Sequence, residues 1–463
     1  MPAIVTKDFR VHNARQFSES FSESADTYYL GIGRPQAFAN DQAFNDGTDT
    51  SPPTPVDSVG SVEYYVYDDI LSAKKVTSSD ISLVIPRRNW TTGTVYDYYR
   101  HDYGEINSAG NTITTDSGAS TLLDATFYVM NSTFDVYKVI DNNGGAASTT
   151  EPTGNKTTSV FSTADSYKWK YMYSLTASEQ ANFMSTDFIH VSTNASDIST
   201  TAGAIEHVKV TAGGSGGSNG TYTGVAIRGD GSSGECTVVV SSNAVSSVTI
   251  TTAGSGYTYA SVKASDIGNV SGADIDFIIS PPGGHGSDAI AELGGFFVMM
   301  NVDFTQGDGS GDFNTTNDFR RIVLLRNPTD STTGSTATAS TLDGTKSMTF
   351  SGTPGSFQAD EKITQATSGA VGFVVDFNST TKVLRYIQPQ FTNQGVDSDG
   401  NLTAFSSTNT VTGATSSATG TPSSHDTTPE LTADTGDILY IENRKPITRA
   451  SDQTENVKLI VEF

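Results

Sequence analysis

The chain ends in Asp437-Ile-Leu-Tyr-Ile-Glu-Asn-Arg-Lys-Pro-Ile447 and, after a polar stretch, in Val457-Lys-Leu-Ile-Val-Glu-Phe463. Residues 438–441 are an apolar run, and every second residue of the final segment is apolar, which is typical of half-buried strands. Because Pro446 has no N–H to donate to a strand ladder, we expect residues 443–454 to connect two strands rather than to continue one. This pattern predicts a β fold that closes at its C-terminal end.

The composition favours the same fold class. Of the 463 residues, 17% are charged, 35% are apolar and 44 are Gly, while Ser and Thr are abundant. That balance favours β-structure with many turns over helical bundles. A chain of this length is expected to form two to four domains. We predict a mainly-β fold with a few short helices, in which a β-sandwich-like scaffold carries two small inserted β domains.

The charge and the cysteine count limit the partners and the compartment. With 51 acidic and 27 basic residues, the formal charge is −24, which repels phosphate backbones and disfavours direct binding of nucleic acid. The single cysteine, Cys236, excludes an intrachain disulfide and fits synthesis in a reducing cytoplasm. The apolar runs are too short to span a bilayer, and no cleavable signal opens the chain. We therefore expect a soluble protein without membrane insertion.

Motifs that resemble reactive or metal-binding sites fail on context or spacing. Residues 213–217 satisfy the Gly-x-Ser-x-Gly nucleophile pattern, but no helix pattern follows them. Residues 308–314 and 397–401 alternate oxygen ligands as a calcium loop does, yet their twelfth positions are Phe319 and Thr408, where a Glu is needed. A cation site of another type stays open. We predict a protein that is not an enzyme, with no catalytic residue, cofactor or metal ligand.

Three segments carry candidate residues for contacts with another subunit. Arg and Trp are frequent among the residues that dominate interface energetics, but an ion pair within the chain is an equally good interpretation of each arginine. A histidine within residues 281–288 is surrounded by Gly, Pro and Ser, which let another backbone approach closely; a structural turn is its alternative. The candidate interface residues are Arg87, Arg88, Trp90, His285, Arg444 and Lys445.

Two of these segments resemble a known family. Residues Tyr440-Ile-Glu-Asn-Arg-Lys-Pro-Ile447, followed by Ser451-Asp-Gln-Thr-Glu455, resemble the C-terminal signature of a baseplate wedge protein of T4-like contractile-tailed phages, the gene product eight family. Residues Leu83-Val-Ile-Pro-Arg-Arg-Asn-Trp90 resemble an upstream segment of that family, with Asn89 in place of its acidic residue. Further similar segments keep the family's order along the chain: residues 4–10, 31–35, 167–171 and 319–328.

The resemblance covers residues 1–204, 281–330 and 432–463, and the two intervening segments have no counterpart. We predict that residues 205–280, in which residues 207–216 are echoed by residues 247–256, form a Gly/Ser-rich inserted β domain built from a repeated hairpin-like unit. The predicted division is 1–204, 281–334 and 432–463 for the scaffold, 205–280 for the first insert, and 335–431 for the second insert with a flexible flank.

Two local predictions complete the description. Residues 68–75 contain enough helix-compatible side chains to predict a short helix. Residues 406–428 are so rich in Ser, Thr and Gly that we expect a mobile linker or a poorly packed loop.

The resemblance implies a structural subunit of the tail baseplate wedge in the virion, made in the host cytoplasm. Such a subunit links neighbouring wedge proteins in assembly and in baseplate rearrangement during infection. The family implies a homodimer that contacts wedge proteins resembling gene products six, seven and ten. The alternative is a receptor- or glycan-binding tail adhesin, which the Tyr-rich turn at residues 257–259 favours.

Overall fold

The computed structural model describes residues 6–23, 25–38, 47–55, 64–106, 110–119, 121–154, 160–193, 200–304, 317–389, 395, 401–448 and 455–463. The chain divides into two compact units: unit 1 comprises residues 1–17, 82–299 and 460–463, and unit 2 comprises residues 18–81 and 300–459. Strands predominate, and the predicted mainly-β fold with a few short helices is confirmed. The described helices are the α-helices Lys7–Ser20, Ala177–Phe183 and Ala289–Leu293 and the 3₁₀ helices Tyr64–Asp69, Ser78–Asp80 and Ala264–Ile267.

Unit 1 contains a four-stranded antiparallel sheet, which we call the aromatic sheet. Its core includes Tyr137, Trp169 and Tyr173, each fully buried. The two central strands are buried on both faces, so their sequences lack the strict alternation of a half-exposed strand. In sheet order the strands are Tyr128–Met130, Asp135–Asp141, Lys168–Ser174 and Phe161–Ser162. Elsewhere in unit 1, Ile81–Pro86 pairs antiparallel with Phe188–His190.

Residues 205–279 of unit 1 form three antiparallel sheets around a core that includes the buried Cys236. The long strand of each predicted repeat contains a glycine with positive φ, Gly214 at 70° and Gly254 at 63°, a conformation that suits Gly. The hairpin-like pairing was wrong, because neither long strand pairs with the strand that follows it. In sheet order the strands are Gly220–Ala226, Ser232–Ser241 and Ala244–Ser255; Ser271–Ile279 and Ile205–Ser215; and Arg228–Gly229 and Ala260–Ser261.

Unit 2 contains an antiparallel sheet of five strands in the order Thr341–Asp343, Ile70–Val76, Tyr28–Gly33, Phe319–Arg326 and Asp437–Ile447. The central strand is buried at every position, and the core beside it includes Tyr29, Val323 and Leu325. The last strand in this order occupies a sheet edge and carries the C-terminal signature. We call Asp437–Ile447 the signature strand.

Unit 2 also contains an antiparallel sheet of seven strands. In sheet order they are Thr419–Gly420, Val411–Gly413, Lys362–Gln365, Ala370–Asn378, Val383–Ile387, Lys346–Phe350 and Pro422–Asp426. The remaining described strands are Thr329–Asp330, Ser335–Thr336, Phe297–Phe304 and Glu455–Glu462.

Three local predictions were wrong, each because tertiary pairing outweighed composition. Residues 70–76 form a strand between two others instead of a helix. Residues 411–426, expected within a linker, contribute three strands to the seven-stranded sheet. The signature strand continues through Pro446 instead of ending before Asn443, because an edge position tolerates a residue without an N–H.

Candidate interface residues and a buried ionic cluster

Arg87 and Trp90 contact their own chain. The Arg87 guanidinium donates to the Ser185 carbonyl at 2.9 Å and to the Asn89 side chain at 3.0 Å. The Trp90 indole N–H donates to the Ser148 hydroxyl at 3.1 Å. These partners are a carbonyl, an amide and a hydroxyl rather than the carboxylates that the intrachain alternative named.

Arg88 is also bound within the chain. Its guanidinium donates to the carbonyls of Ala125 and Leu123, the latter at 3.2 Å, and lies 4.8 Å from the centre of the Tyr128 ring. The segment containing these residues thus positions the loop before the aromatic sheet. Its role at a subunit interface stays a prediction.

His285 lies in the predicted turn, but the turn is packed against the protein interior. The imidazole is 4% exposed, meets the Tyr99 ring edge-to-face at 4.9 Å, and has Nε2 3.9 Å from a Glu206 carboxylate oxygen. Its Nδ1 has no hydrogen-bond partner among the described residues. Burial, reinforced by the positive charges of Lys138 and Lys170, lowers the pKa of His285 well below its usual value, so the ring is neutral.

The histidine belongs to a cluster organised around two buried lysines. Lys138 and Lys170 stand directly opposite each other on adjacent strands of the aromatic sheet and are 0% and 2% exposed. Lys138 forms an ion pair with Glu292, and its ammonium lies 4.7 Å from the centre of the Tyr99 ring. The backbone N–H of Gly286 donates to Glu292 at 2.8 Å. We call Tyr99, Lys138, Lys170, Glu206, His285 and Glu292 the ionic cluster.

Burial shifts the pKa of most charged groups in the ionic cluster toward the neutral form, and the opposite charges counteract that shift. Burial lowers the pKa of Lys138, while Glu292 acts to raise it. The pKa of Lys170 is likewise lowered by burial, against the charges of Glu206 and Glu292. Burial raises the pKa of Glu206, against the pull of the lysines. The positive charges of the two lysines are therefore compensated only when both carboxylates are present.

Further polar contacts hold residues 205–279 to the aromatic sheet and its neighbouring loop. His207 Nδ1 lies 3.4 Å from an Asp141 carboxylate oxygen, at the end of a strand of that sheet. Arg100 donates to Asp276 at 2.8 Å. Residues near the start and near the end of this region, His207 and Asp276, are therefore both attached.

The ionic cluster was missed in the sequence, although a signal was present. Lys138 and Lys170 interrupt strands that are otherwise aromatic or aliphatic, and a lysine within such a strand indicates a buried cation that needs an acidic partner. The partners Glu206 and Glu292 could not be recognised, because they are remote in sequence. Among the described residues, no cluster of His, Cys, Asp and Glu is arranged to hold a metal ion.

Arg444 and Lys445 differ from the other candidates because both are exposed on the signature strand. The side chain of Arg444 is 44% exposed, and its Nε lies 3.6 Å from a Glu442 carboxylate oxygen. Leu439 and Tyr440, earlier on this strand, are 41% and 39% exposed. Arg444 and Lys445 are thus the most exposed of the candidate interface residues, since Arg87, Arg88 and Trp90 are half-buried and His285 is buried.

Comparison with known proteins gives one family match. A family model described as Phage-Gp8, Bacteriophage T4 Gp8, matches residues 3–148 and 393–463. The matched ranges include residues 83–90 and the signature strand. They extend into residues 393–431, which the resemblance left out, and they omit residues 149–204 and 281–330, which it included. No curated protein matches the chain.

Within the described part of the chain, no helix combines the length and apolar character needed to cross a bilayer.

Breaking the Lys138–Glu292 ion pair should destabilise the protein strongly, and removing the second charge as well should recover part of the lost stability. Lys138→Met leaves Glu292 buried without its cation and should lower the free energy of unfolding by about 3–5 kcal/mol. Adding Glu292→Gln removes the unpaired charge and should restore part of that loss. Arg228→Met, at a pair whose arginine is 54% exposed, is the control and should cost about 0–1 kcal/mol. Urea unfolding of the variants measures these values; a double variant no more stable than Lys138→Met would contradict the account.

Burial of the His285 imidazole should make the folded protein less stable in acid. Because the pKa of His285 is lowered in the folded state, the unfolded chain takes up this proton first, near pH 6.5. Stability from this group is complete above that pH and falls below it by about 1.4 kcal/mol per pH unit. Glu206, with its raised pKa, acts in the opposite sense, so slopes should be compared between variants.

His285→Gln should make the dependence of unfolding free energy on pH shallower between neutrality and pH 5. His101→Gln, at an exposed site, is the matched control for removal of an imidazole. Equal slopes for the wild-type protein and His285→Gln would show that this ring does not titrate on unfolding.

Proposed function

Because this chain belongs to the Gp8 family of phage baseplate structural proteins, we propose that it links neighbouring wedge proteins in the tail baseplate. It would do so during assembly and again when the baseplate rearranges at infection. The observation that carries the proposal is the family match, which includes both predicted signature segments and leaves the middle of the chain unmatched. The partners would be wedge proteins that resemble gene products six, seven and ten, and the chain itself would be a homodimer.

A linking subunit acts through buried interface area instead of chemistry. A stable protein interface buries on the order of 1,600 Å² in total, and a symmetric dimer uses the same patch on both copies. Membership of a structural baseplate family supports a role that is not enzymatic. The buried, mutually compensating charges of the ionic cluster support an interior that stays rigid while surface contacts change.

The two predicted inserts have a separate role in this proposal. We propose that residues 205–280 and 335–431, the latter as far as the family match that begins at residue 393, are inserts that present lattice or fibre contacts. At the base of the first insert, the backbone N–H of Ser280 donates to the Ala204 carbonyl at 2.9 Å, so the chain enters and leaves this region at one point. Such closeness of ends is what an insertion into an existing fold requires.

One observation favours the adhesin as a second candidate. Within the Tyr-rich turn, Tyr257 is 3% exposed but Tyr259 is 62% exposed. The Asp230 carboxylate accepts from the Thr258 backbone N–H at 2.8 Å and from its hydroxyl at 2.6 Å, which positions the turn that carries Tyr259. An exposed aromatic ring on an ordered turn suits stacking against a sugar.

If the protein links wedge proteins, the mass measured in solution should rise to that of a defined complex when those proteins are added. The purified protein alone should have the mass of a dimer, and mixing with the three wedge proteins should give a larger complex of fixed composition. Light scattering coupled to size exclusion measures both masses. A monomer that stays separate from the wedge proteins, together with binding to host cells, would contradict the linking role and favour the adhesin.

If residues 205–280 are an insert, deleting most of them should leave the rest of the protein folded. Val208 and Phe277 are directly opposite on paired strands, so replacing residues 209–276 with a tight Asn-Gly turn should close the gap and keep Glu206 in the ionic cluster. The shortened protein should stay folded and join the wedge proteins as the full chain does. Circular dichroism checks the fold, and the same light-scattering assay checks assembly; loss of the folded state would refute the insert description.

A further inference from the structure

We propose that the signature strand binds an acidic patch on another baseplate protein through the side chains of Leu439, Tyr440, Arg444 and Lys445. The inference rests on the proposed linking role and adds to it the contact surface and the chemistry of the partner. It follows from the irregular pairing of this strand, from the exposure of its side chains, and from the distribution of positive charge over the described chain.

The strand departs from regular pairing at two places. Leu324 pairs with Tyr440 while Leu325 pairs with Ile438, so Leu439 is an extra residue on the edge. Further along, Arg321 pairs with Asn443 and Phe319 with Ile447, so three residues, 444–446, stand opposite the single Arg320. Both irregularities are β-bulges, which redirect side chains at sheet edges.

The chemistry of the segment explains the second bulge. Pro446 has no N–H for the ladder, and Asn443 is held on both sides: it accepts from Arg321 at 3.0 Å and donates to the Pro53 carbonyl at 3.1 Å. The Arg320 side chain opposite the bulge turns to Asp49, with Nε 2.9 Å from a carboxylate oxygen. Arg444 and Lys445 are therefore displayed from a backbone that is anchored before them, which lowers the entropy cost of binding.

The exposed side chains have the composition of a contact surface. Tyr and Arg are enriched among residues that dominate interface energetics, and here Tyr440 and Arg444 are both exposed on the strand. The bulge at Leu439 also explains why Ile438 and Ile441 can both pack on the core beside the sheet despite their odd spacing. Apolar surface at one end and positive charge at the other thus lie on a single short segment.

The distribution of charge identifies the kind of partner. The chain has a formal charge of −24, and eight described arginines other than Arg444 form ion pairs within the chain. Lys445 makes no ion pair with any described residue, and Arg444 reaches only Glu442. A positive site suits an acidic surface, whereas the net negative charge of the chain repels nucleic acid. The paired arginines are Arg10, Arg15, Arg100, Arg228, Arg320, Arg321, Arg326 and Arg385.

The bulges also favour side-chain contacts over strand addition. An added strand needs a regular row of free N–H and C=O groups, and bulges are among the features that prevent such pairing at edges. The partner is therefore a folded acidic surface that receives the protruding side chains, not an extended peptide that continues the sheet.

The test compares Arg444→Ala/Lys445→Ala with Arg228→Ala/Lys263→Ala, a control that removes the same two charges from exposed positions in residues 205–279. Each full-length protein is titrated with the three wedge proteins at low and at physiological ionic strength, and its mass alone is measured. The first variant should bind about tenfold more weakly or worse and with less dependence on salt, while the control binds as the wild-type protein does. Arg444→Glu/Lys445→Glu should bind more weakly still.

Each other outcome has a distinct meaning. Failure of the wild-type protein to join any wedge protein overturns the proposed function, and the surface with it. Equal binding by the wild-type protein and both variants overturns the surface alone. Loss of the dimer mass in Arg444→Ala/Lys445→Ala identifies a second copy as the occupant and overturns the acidic partner. An unchanged melting temperature shows that each variant is folded, as expected for exposed side chains.

Discussion

Two lysines that face each other inside a sheet impose the main constraint on unit 1. Like charges directly opposite on adjacent strands repel, and burying a cation costs several kcal/mol unless it is paired. Lys138 and Lys170 can therefore lie in the aromatic sheet only if carboxylates arrive from elsewhere. Glu206 and Glu292 supply them from opposite sides of residues 207–279. The charges of the two lysines in the aromatic sheet are therefore compensated only when the connections before and after that region are both in place.

The fold class and the signature segments were predictable, because they depend on local composition and on short motifs. The frequency of Gly, Ser and Thr indicated β-structure, and alternation after Val457 indicated the final strand, which spans Glu455–Glu462. Pairing partners were not predictable, because register depends on contacts remote in sequence. Residues 70–76 show the consequence: their side chains suit a helix, but two neighbouring strands supply hydrogen bonds that a helix there would leave unmade.

The candidate site was predictable only in part for the same reason. Arg87, Arg88 and Trp90 were selected by residue type, and residue type cannot tell an interface from an internal hydrogen bond to a carbonyl. His285 was selected by its small neighbours, which do allow close approach, but to Tyr99 and Glu206 of the same chain. Arg444 and Lys445 were selected in the same way, yet they are exposed. What distinguishes them is Pro446 at an edge position, a feature whose effect depends on knowing that the strand is an edge.

Edge strands generally need protection against unwanted pairing, and the signature strand combines that protection with the exposure of charged side chains. A regular edge would offer backbone groups to any extended chain, whereas the bulges at Leu439 and at residues 444–446 interrupt the row. The same interruptions turn Arg444 and Lys445 outward. Recognition then depends on side-chain identity, which is specific, instead of on backbone groups, which all proteins share. In the proposed linking role, the subunit would have to bind one neighbour among many. A strand edge that prevents pairing with other strands and exposes two positive side chains would meet both requirements with one segment.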